Sequence, residues 1–507
     1  MLRLNRSSLH KIRLAVALTL TPMPSAVARL SPRFQLFIVI FLQLAEPLTS
    51  QVIYPFVAQL IRDVGITHGD ETKVGYYVGT MQAIFYLTQA MTVLHWSRLS
   101  DRIGRKPVIL FGLMGLSLSM YCFGLSRTFW GLVVSRSLNG ALNGNIGVIK
   151  SMIAEMSDAT NIAQAHSDDV LQTYAYLPIA WATGGVLGSA IGGSLSHPAE
   201  RFPSLFGKND FLRKYPYFLP CAVPATFSAI AWIVTLLFLK ETARGPSVLS
   251  IPHIFLRKDS ISAPIDQETA VAEGGEFVGA AMVRTKPKQS SPLRGLLTRR
   301  VIVAASNYAF LALVDVAIRA MQPVFFSTPI ELGGLGLPTA RIGNLLTVFG
   351  LFNGVFQVFY FAKVHDYLGS KTMFIVGLAS ALPTFGAMPV MNYLARAQGV
   401  SVLVWAIAFV HVVLSIGLNF SYGAVFIYIS AAAPNRASLG ATNGLCQLSV
   451  SIMRAVGPAL ANSLFSLSME KGYLHGYMVY CVLIGITCVA LWVGAQLPTQ
   501  PWVVRTQ

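Results

Sequence analysis

Apolar windows of about 20 residues, the length an α-helix needs to cross a bilayer core, recur along this chain. They fall at 34–56, 74–94, 107–125, 129–153, 172–195, 217–239, 301–326, 341–361, 372–392, 400–430, 439–467 and 473–497. No other feature constrains the fold as much. Backbone amides in hydrocarbon must be satisfied within the chain, so these twelve windows predict helices and exclude open sheets. Composition agrees: 54% of residues are hydrophobic and 12% charged, too little polar surface to clothe a soluble globule of 507 residues. The expected fold class is all-α and integral to a membrane. Cys122, Cys221, Cys446, Cys481 and Cys488 lie in apolar segments without C-x-x-C or metal-ligand spacing, and read as small buried hydrophobes.

Charge is confined to loops. The stretch HWSRLSDRIGRKP, from His95 to Pro107, puts four cations and one aspartate between spans 2 and 3. With both termini cytoplasmic, that side holds roughly 24 Lys and Arg against roughly 10 outside, in line with the positive-inside rule. This topology accounts for part of the +17 net charge, so no nucleic acid partner is implied. No G-x-x-x-x-G-K-[ST] occurs, which argues against a pump driven by nucleotide hydrolysis. Residues 240–300 carry ten cations amid Ser, Pro, Gly and acidic residues, and read as a cytoplasmic linker. The expected organisation is a basic cytoplasmic tail (1–33), a six-helix half (34–239), the linker, a second six-helix half (301–497) and a short cytoplasmic tail (498–507). The acid-free N-terminal tail superficially resembles a mitochondrial presequence; a basic segment beside anionic lipid is the plainer reading.

The halves repeat faintly. FAKVHDYLGSK, between spans 8 and 9, keeps Asp366, Gly369 and Lys371 at the spacing of Asp101, Gly104 and Lys106. With Asp101, Arg102, Gly104, Arg105 and Lys106 in place, the chain resembles the major facilitator superfamily, whose signature after the second helix is G-x-x-x-D-R-x-G-R-[RK]; Ser97 stands for the first glycine. Arg136 and Gly140 are similar to that family's fourth-helix arginine and glycine. GGVLGSAIGG in span 5, through Gly184 or Gly185, Gly188, Gly192 and Gly193, is similar to its antiporter motif, with Ser189 in place of the proline. Within the family, LNGALNGNIGVIK and NGLCQLSVSIMRAVGPA look like the drug:proton antiporter group that includes zinc-induced facilitator-like transporters and fungal efflux carriers. The resemblance implies twelve helices in two halves, with every third helix at the lipid-facing periphery. Spans 3, 6, 9 and 12 indeed carry no charged side chain and no Asn or Gln in their apolar stretches. It also implies that the loop after span 2 is a cytoplasmic latch, in which Asp101 meets a helix N-terminus across the halves, Arg105 is its network partner and Gly104 permits close approach.

Polar residues at helical spacing mark the spans expected to line a central cavity. They are Gln43, Glu46, Ser50 and Tyr54 in span 1; Arg136, Asn139, Asn143 and Lys150 in span 4; Tyr308, Asp315, Arg319 and Gln322 in span 7; His411, Ser415, Asn419 and Tyr422 in span 10. Of 21 acidic residues, only Glu46 and Asp315 lie near the middle of a span. Burial disfavours ionisation of such a carboxyl, which suits it to proton exchange. Glu46 is the expected main coupling residue, or an anchor for a cationic substrate, with Pro47 as a hinge; a structural carboxyl paired with Arg136 or Lys150 is the alternative. Asp315 has Arg319 four residues on to neutralise it. Arg136 suits an anionic substrate group or the deprotonated carboxylate. The span 5 glycines should pack a moving interface with span 8, and Gly457 and Pro458 should serve packing in span 11.

The functional expectation is a secondary transporter, most simply exporting a small amphiphilic organic compound, cationic or zwitterionic, in exchange for protons. Proton-coupled import and a non-transporting sensor on the same fold stay open. No cofactor, resident metal or enzyme chemistry is expected. The partners are substrate, protons and membrane lipid, the chain acts as a monomer, and its expected location is the plasma membrane, with an organelle membrane such as the vacuole as the alternative.

Overall fold

The computed structural model describes residues 32–145, 147–149, 152, 168–241, 297–432, 434 and 439–502. Lys150, residues 242–296 of the linker and nearly all of the N-terminal tail lie outside that set, as do residues 503–507. Among the described residues every regular element is helical. Eight helices among the described residues are long and apolar enough to cross a membrane, and they correspond to spans 3 and 6 to 12. Span 2 is a 30-residue helix, Val74–Ile103, and span 5 a 28-residue helix, Asp168–Leu195.

Spans 1 and 4 depart from the continuous helices expected. Span 1 runs as Pro32–Gln43, Ala45–Gln51 and Val57–Val64. Prolines explain both interruptions: Pro47 has no N–H to give the Gln43 carbonyl, and Pro55 has none for that of Gln51. The chain tightens at the first break, where Leu44 N–H bonds Phe41 O at 3.2 Å. Span 4 begins at a Thr128 cap on Gly131 N–H and stops at Leu142, because Asn143 leaves the helical region at φ −82°, ψ 67°. The Ala141 carbonyl, which a continuing helix would engage, is instead taken by the Trp96 indole N–H at 2.7 Å.

The internal repeat is visible in the backbone. Gly104 (φ 104°, ψ 163°) separates span 2 from span 3, and Gly369 (φ 72°, ψ 163°) stands in the same place between spans 8 and 9. That conformation is open almost only to glycine. Lys106 Nζ then donates to Leu236 O near the end of span 6, and Lys371 Nζ to Ala495 O at the end of span 12, both at 2.9 Å.

Span 7 lies at the centre, with no exposed residue from 303 to 327. Spans 3, 6, 9 and 12 each expose large apolar side chains, among them Leu118, Ile233, Val390 and Trp492, as a lipid-facing periphery requires. Cys122, Cys481 and Cys488 are also exposed on these helices, so only Cys221 and Cys446 fit the reading of buried cysteines. The halves meet along two seams, span 2 against span 11 and span 5 against span 8. A methyl on Gly79 would meet the Pro458 carbonyl at 2.9 Å, and one on Gly193 would meet Gly343 Cα at 2.5 Å. Gly184, Gly188 and Gly192 correct the expectation for span 5: they face Pro47, Leu48 and Val52 of span 1, within the same half, and of the motif's glycines Gly193 meets span 8, where Ser189 and Val186 also lie against Gly343 and Gly350. Gly457 packs on Leu313 and Ala317 of span 7.

Candidate functional site

The two helix breaks meet at one carboxylate. Glu46, 7% exposed, begins the second piece of span 1, and its Oε1 accepts a hydrogen bond from Asn143 Nδ2 at 2.9 Å. The Thr49 hydroxyl back-bonds to the Ala45 and Glu46 carbonyls at 2.9 Å, filling acceptors near the interruption. Gln43 Oε1, Asn139 Oδ1 and Asn143 Oδ1 are buried there without protein partners, as groups facing a wet cavity would be.

Asp315 is placed differently. Its Oδ1 accepts from Arg319 Nε at 2.7 Å and its Oδ2 from the Tyr422 hydroxyl at 3.0 Å, so both oxygens are engaged. Arg319 also reaches Asn419 Oδ1 at 3.3 Å, and its guanidinium lies 5.4 Å from the Phe349 ring centroid. Asn419 passes the chain on to Asn353 of span 8 at 2.8 Å. Tyr308 stands edge-on to Tyr422, ring centroids 6.2 Å apart.

Arg136 lies against Phe85, its guanidinium carbon 4.5 Å from the ring centroid. The residue is 5% exposed, yet Nε and Nη1 have no hydrogen-bond partner. Leaving a charged donor buried and unpaired costs on the order of several kcal/mol, so water or a ligand must serve it. Span 4 presents it because Trp130, Val134 and Leu138 take the outward stripe of that helix while Arg136, Asn139 and Gly140 take the inward one. Tyr54 lies close to Tyr86 and within electrostatic reach of both Arg136 and Arg319, and thereby joins the clusters of the two halves. Arg454 lies close to Tyr422 and within electrostatic reach of Tyr308 and Tyr86.

Thus Gln43, Glu46, Tyr54, Arg136, Asn139 and Asn143 gather in one half, and Tyr308, Asp315, Arg319, Asn419 and Tyr422 in the other. His411 is not brought to them; its Nδ1 bonds the Thr384 carbonyl of span 9 at 3.0 Å and its ring packs near Phe326. Tyr86 and Phe85 of span 2 also belong to the cluster, although polar spacing points only to spans 1, 4, 7 and 10.

At the basic loop, the Asp101 side chain lies outside the described ones, and Arg102 is exposed. Glu241, the residue just past span 6, caps span 3: its carboxylate accepts from the backbone N–H of Arg105 at 2.8 Å and of Lys106 at 3.0 Å. Arg105 Nη1 donates to Ser100 Oγ at 2.6 Å. These contacts stay within one half, and they attach Glu241 to the helical half, although the linker was expected to begin at residue 240. At the opposite end the halves are tied across: Arg62 Nη1 and Nη2 donate to Ser327 Oγ at 2.6 Å and Ser327 O at 3.0 Å, while Arg62 Nε pairs with Glu71 at 2.8 Å. Two open clefts of about 430 and 570 Å³ lie at this end, around His197 and Glu200, away from the buried charges.

Residues 39–458 match the Major Facilitator Superfamily. The chain belongs to that superfamily. Superfamily relatives include the Aspergillus fumigatus multidrug transporter mfsB, 28% identical over 508 residues (90% of this chain, 82% of that protein). The Arabidopsis thaliana protein Zinc Induced Facilitator 1 is 29% identical over 482 residues (94% and 93%). Among solved superfamily folds, a bacterial homologue of the human lysosomal transporter Spinster, inward-facing and unoccupied, superposes with a TM-score of 0.64 at 14% identity (93% and 97%). Superfamily membership makes this a multi-pass membrane transporter and not an enzyme.

Proposed function

We propose that this protein is a proton-coupled secondary transporter that exports a small organic compound from the cytosol, with residues 34–239 and 301–497 rocking about the buried cluster. The reading is supported most by Glu46, a buried carboxylate that joins the breaks of two helices. Interrupted helices around a midplane charge suit a site that binds and releases an ion in each cycle. A proton on Glu46 would alter its bond to Asn143 and so loosen the span 1–span 4 junction, which connects charge to shape. Asp315 is the second coupling position, since a proton there would release Arg319. Gln43, Tyr54, Asn139, Tyr308, Asn419 and Tyr422 would contact the substrate, and Asp101 would act with Arg105 as the cytoplasmic latch. Multidrug and efflux names among the relatives favour export. In this reading the protein works as a monomer in the plasma membrane.

The test is uptake into inside-out vesicles under an acid-inside gradient, with a mixed panel of amphiphilic cations, zwitterions, carboxylates, metal chelates and sugars. Gradient-driven accumulation by the wild type, lost in Glu46→Gln, is expected. A mutant that still concentrates substrate would remove Glu46 from obligatory coupling, and acceleration by the opposite gradient alone would reverse the direction.

A further inference from the structure

The charges of the buried centre do not balance among the described residues. Three guanidinium groups, those of Arg136, Arg319 and Arg454, face two carboxylates, those of Glu46 and Asp315. Arg319 consumes Asp315. Glu46 is bound to Asn143, seven residues along span 4 from Arg136, which is roughly 10 Å of helix rise. Neither Arg136 nor Arg454 forms an ion pair among the described residues. Arg136 is the more exacting case, because two of its donors are buried and empty.

From this we infer that the substrate carries an oxyanion, a carboxylate or a phosphate, which is held by Arg136 with Arg454 across from it and with Tyr86 near both. Both arginines lie within electrostatic reach of Tyr86, and Arg136 also of Tyr54. A guanidinium offers paired donors in a planar fork that fits two oxygens of one anion, and it is less strongly hydrated than an ammonium, so it suits a site deep in the membrane. The Phe85 ring behind Arg136 and the rings of Tyr308 and Tyr422 beside Arg454 supply apolar faces for an aromatic or hydrophobic body. This assigns a chemical class that the buried acids, taken alone, would have reversed: Glu46 and Asp315 point to a cation only if they are available, and both are engaged. The inference rests on the transport reading for its biological sense, but it places the anion on groups separate from the coupling carboxylate.

Equilibrium binding to the full chain in lipid nanodiscs tests it, with three probes that share one ring system and differ in charge: 4-biphenylcarboxylate, 4-biphenylcarboxamide and 4-phenylbenzylammonium. The carboxylate should bind at least tenfold more tightly than the other two and raise the melting temperature. Arg136→Gln should lower carboxylate affinity at least tenfold and leave the amide unchanged, and Arg136→Lys should restore part of the loss. Arg454→Gln provides a second variant should Arg136→Gln fail to fold. Equal affinity for the ammonium, carboxylate binding unchanged in both glutamine variants, or no binding of any probe would each overturn the assignment. Transport is not needed for the readout, so intact carboxylate selectivity without gradient-driven uptake would overturn the transport reading and leave the anion site standing.

Discussion

Single residues here carry more than their side chains suggest. Glu241 satisfies two N–H groups at the start of span 3, beside a glycine whose φ lets the chain turn sharply enough to reach it. Loss of a helix cap typically costs about 1–2 kcal/mol. Glu241→Ala should therefore lower the melting temperature by a few degrees in a thermal unfolding assay, and an unchanged transition would show that the cap is dispensable. Nothing in the pattern singles out Glu241, because hydropathy closes span 6 at Leu239, two residues before it. The polar set at the centre was largely legible, since helical spacing marks the inward face of a span. What spacing does not give is the partner. Asp315 could be paired with Arg319 in advance because both lie on one helix, whereas the bond between Glu46 and Asn143 joins residues 97 apart. His411 shows the converse limit, a polar residue on the right helix that faces its peripheral neighbour.

Helical elements follow their apolar windows closely, and their interruptions follow local chemistry. Pro47 was a visible hinge signal, and the Asn143–Gly144 dipeptide in span 4, a common turn pair, was an equally visible signal that the apolar run overshadowed. Pro47→Ala would return the missing N–H to Gln43 O; it should raise the melting temperature and slow initial uptake several-fold, and an unchanged uptake rate would show that the break is not used in the cycle. Span 5 tests packing. A methyl on Gly192 would run into the Val52 carbonyl, so Gly192→Ala should destabilise the protein by about 1–3 kcal/mol through the span 1 contact, seen as a lowered melting temperature. Gly185→Ala has nothing within 4 Å to meet and should be neutral in the same assay. Sequence pattern named the close-packing face and one of its two neighbours, span 8 at Gly193, but not span 1, which Gly184, Gly188 and Gly192 face, because small residues admit whichever helix the fold brings up.

As a whole, the molecule is fastened across its halves at the end opposite the basic loops. Arg62 bridges to Ser327, and the Tyr76 hydroxyl reaches Glu470 at 3.3 Å. Arg62→Ala should shift the population toward opening at that end, read as longer spin-label distances between cysteines placed at Gly69 and Gly333; an unaltered distance distribution would deny Arg62 a gating role. The twelve apolar windows and the repeated Asp-x-x-Gly frame made the two-part design legible, while nothing in them told which end is shut. The Glu241 cap has one more consequence, for biosynthesis. Its carboxylate leaves the ribosome only after all six helices of the first half, so span 3 receives its final anchor when that half is complete and the following segment is still being made. The first half thus carries its own signal of completion, and the second can assemble against a partner already finished.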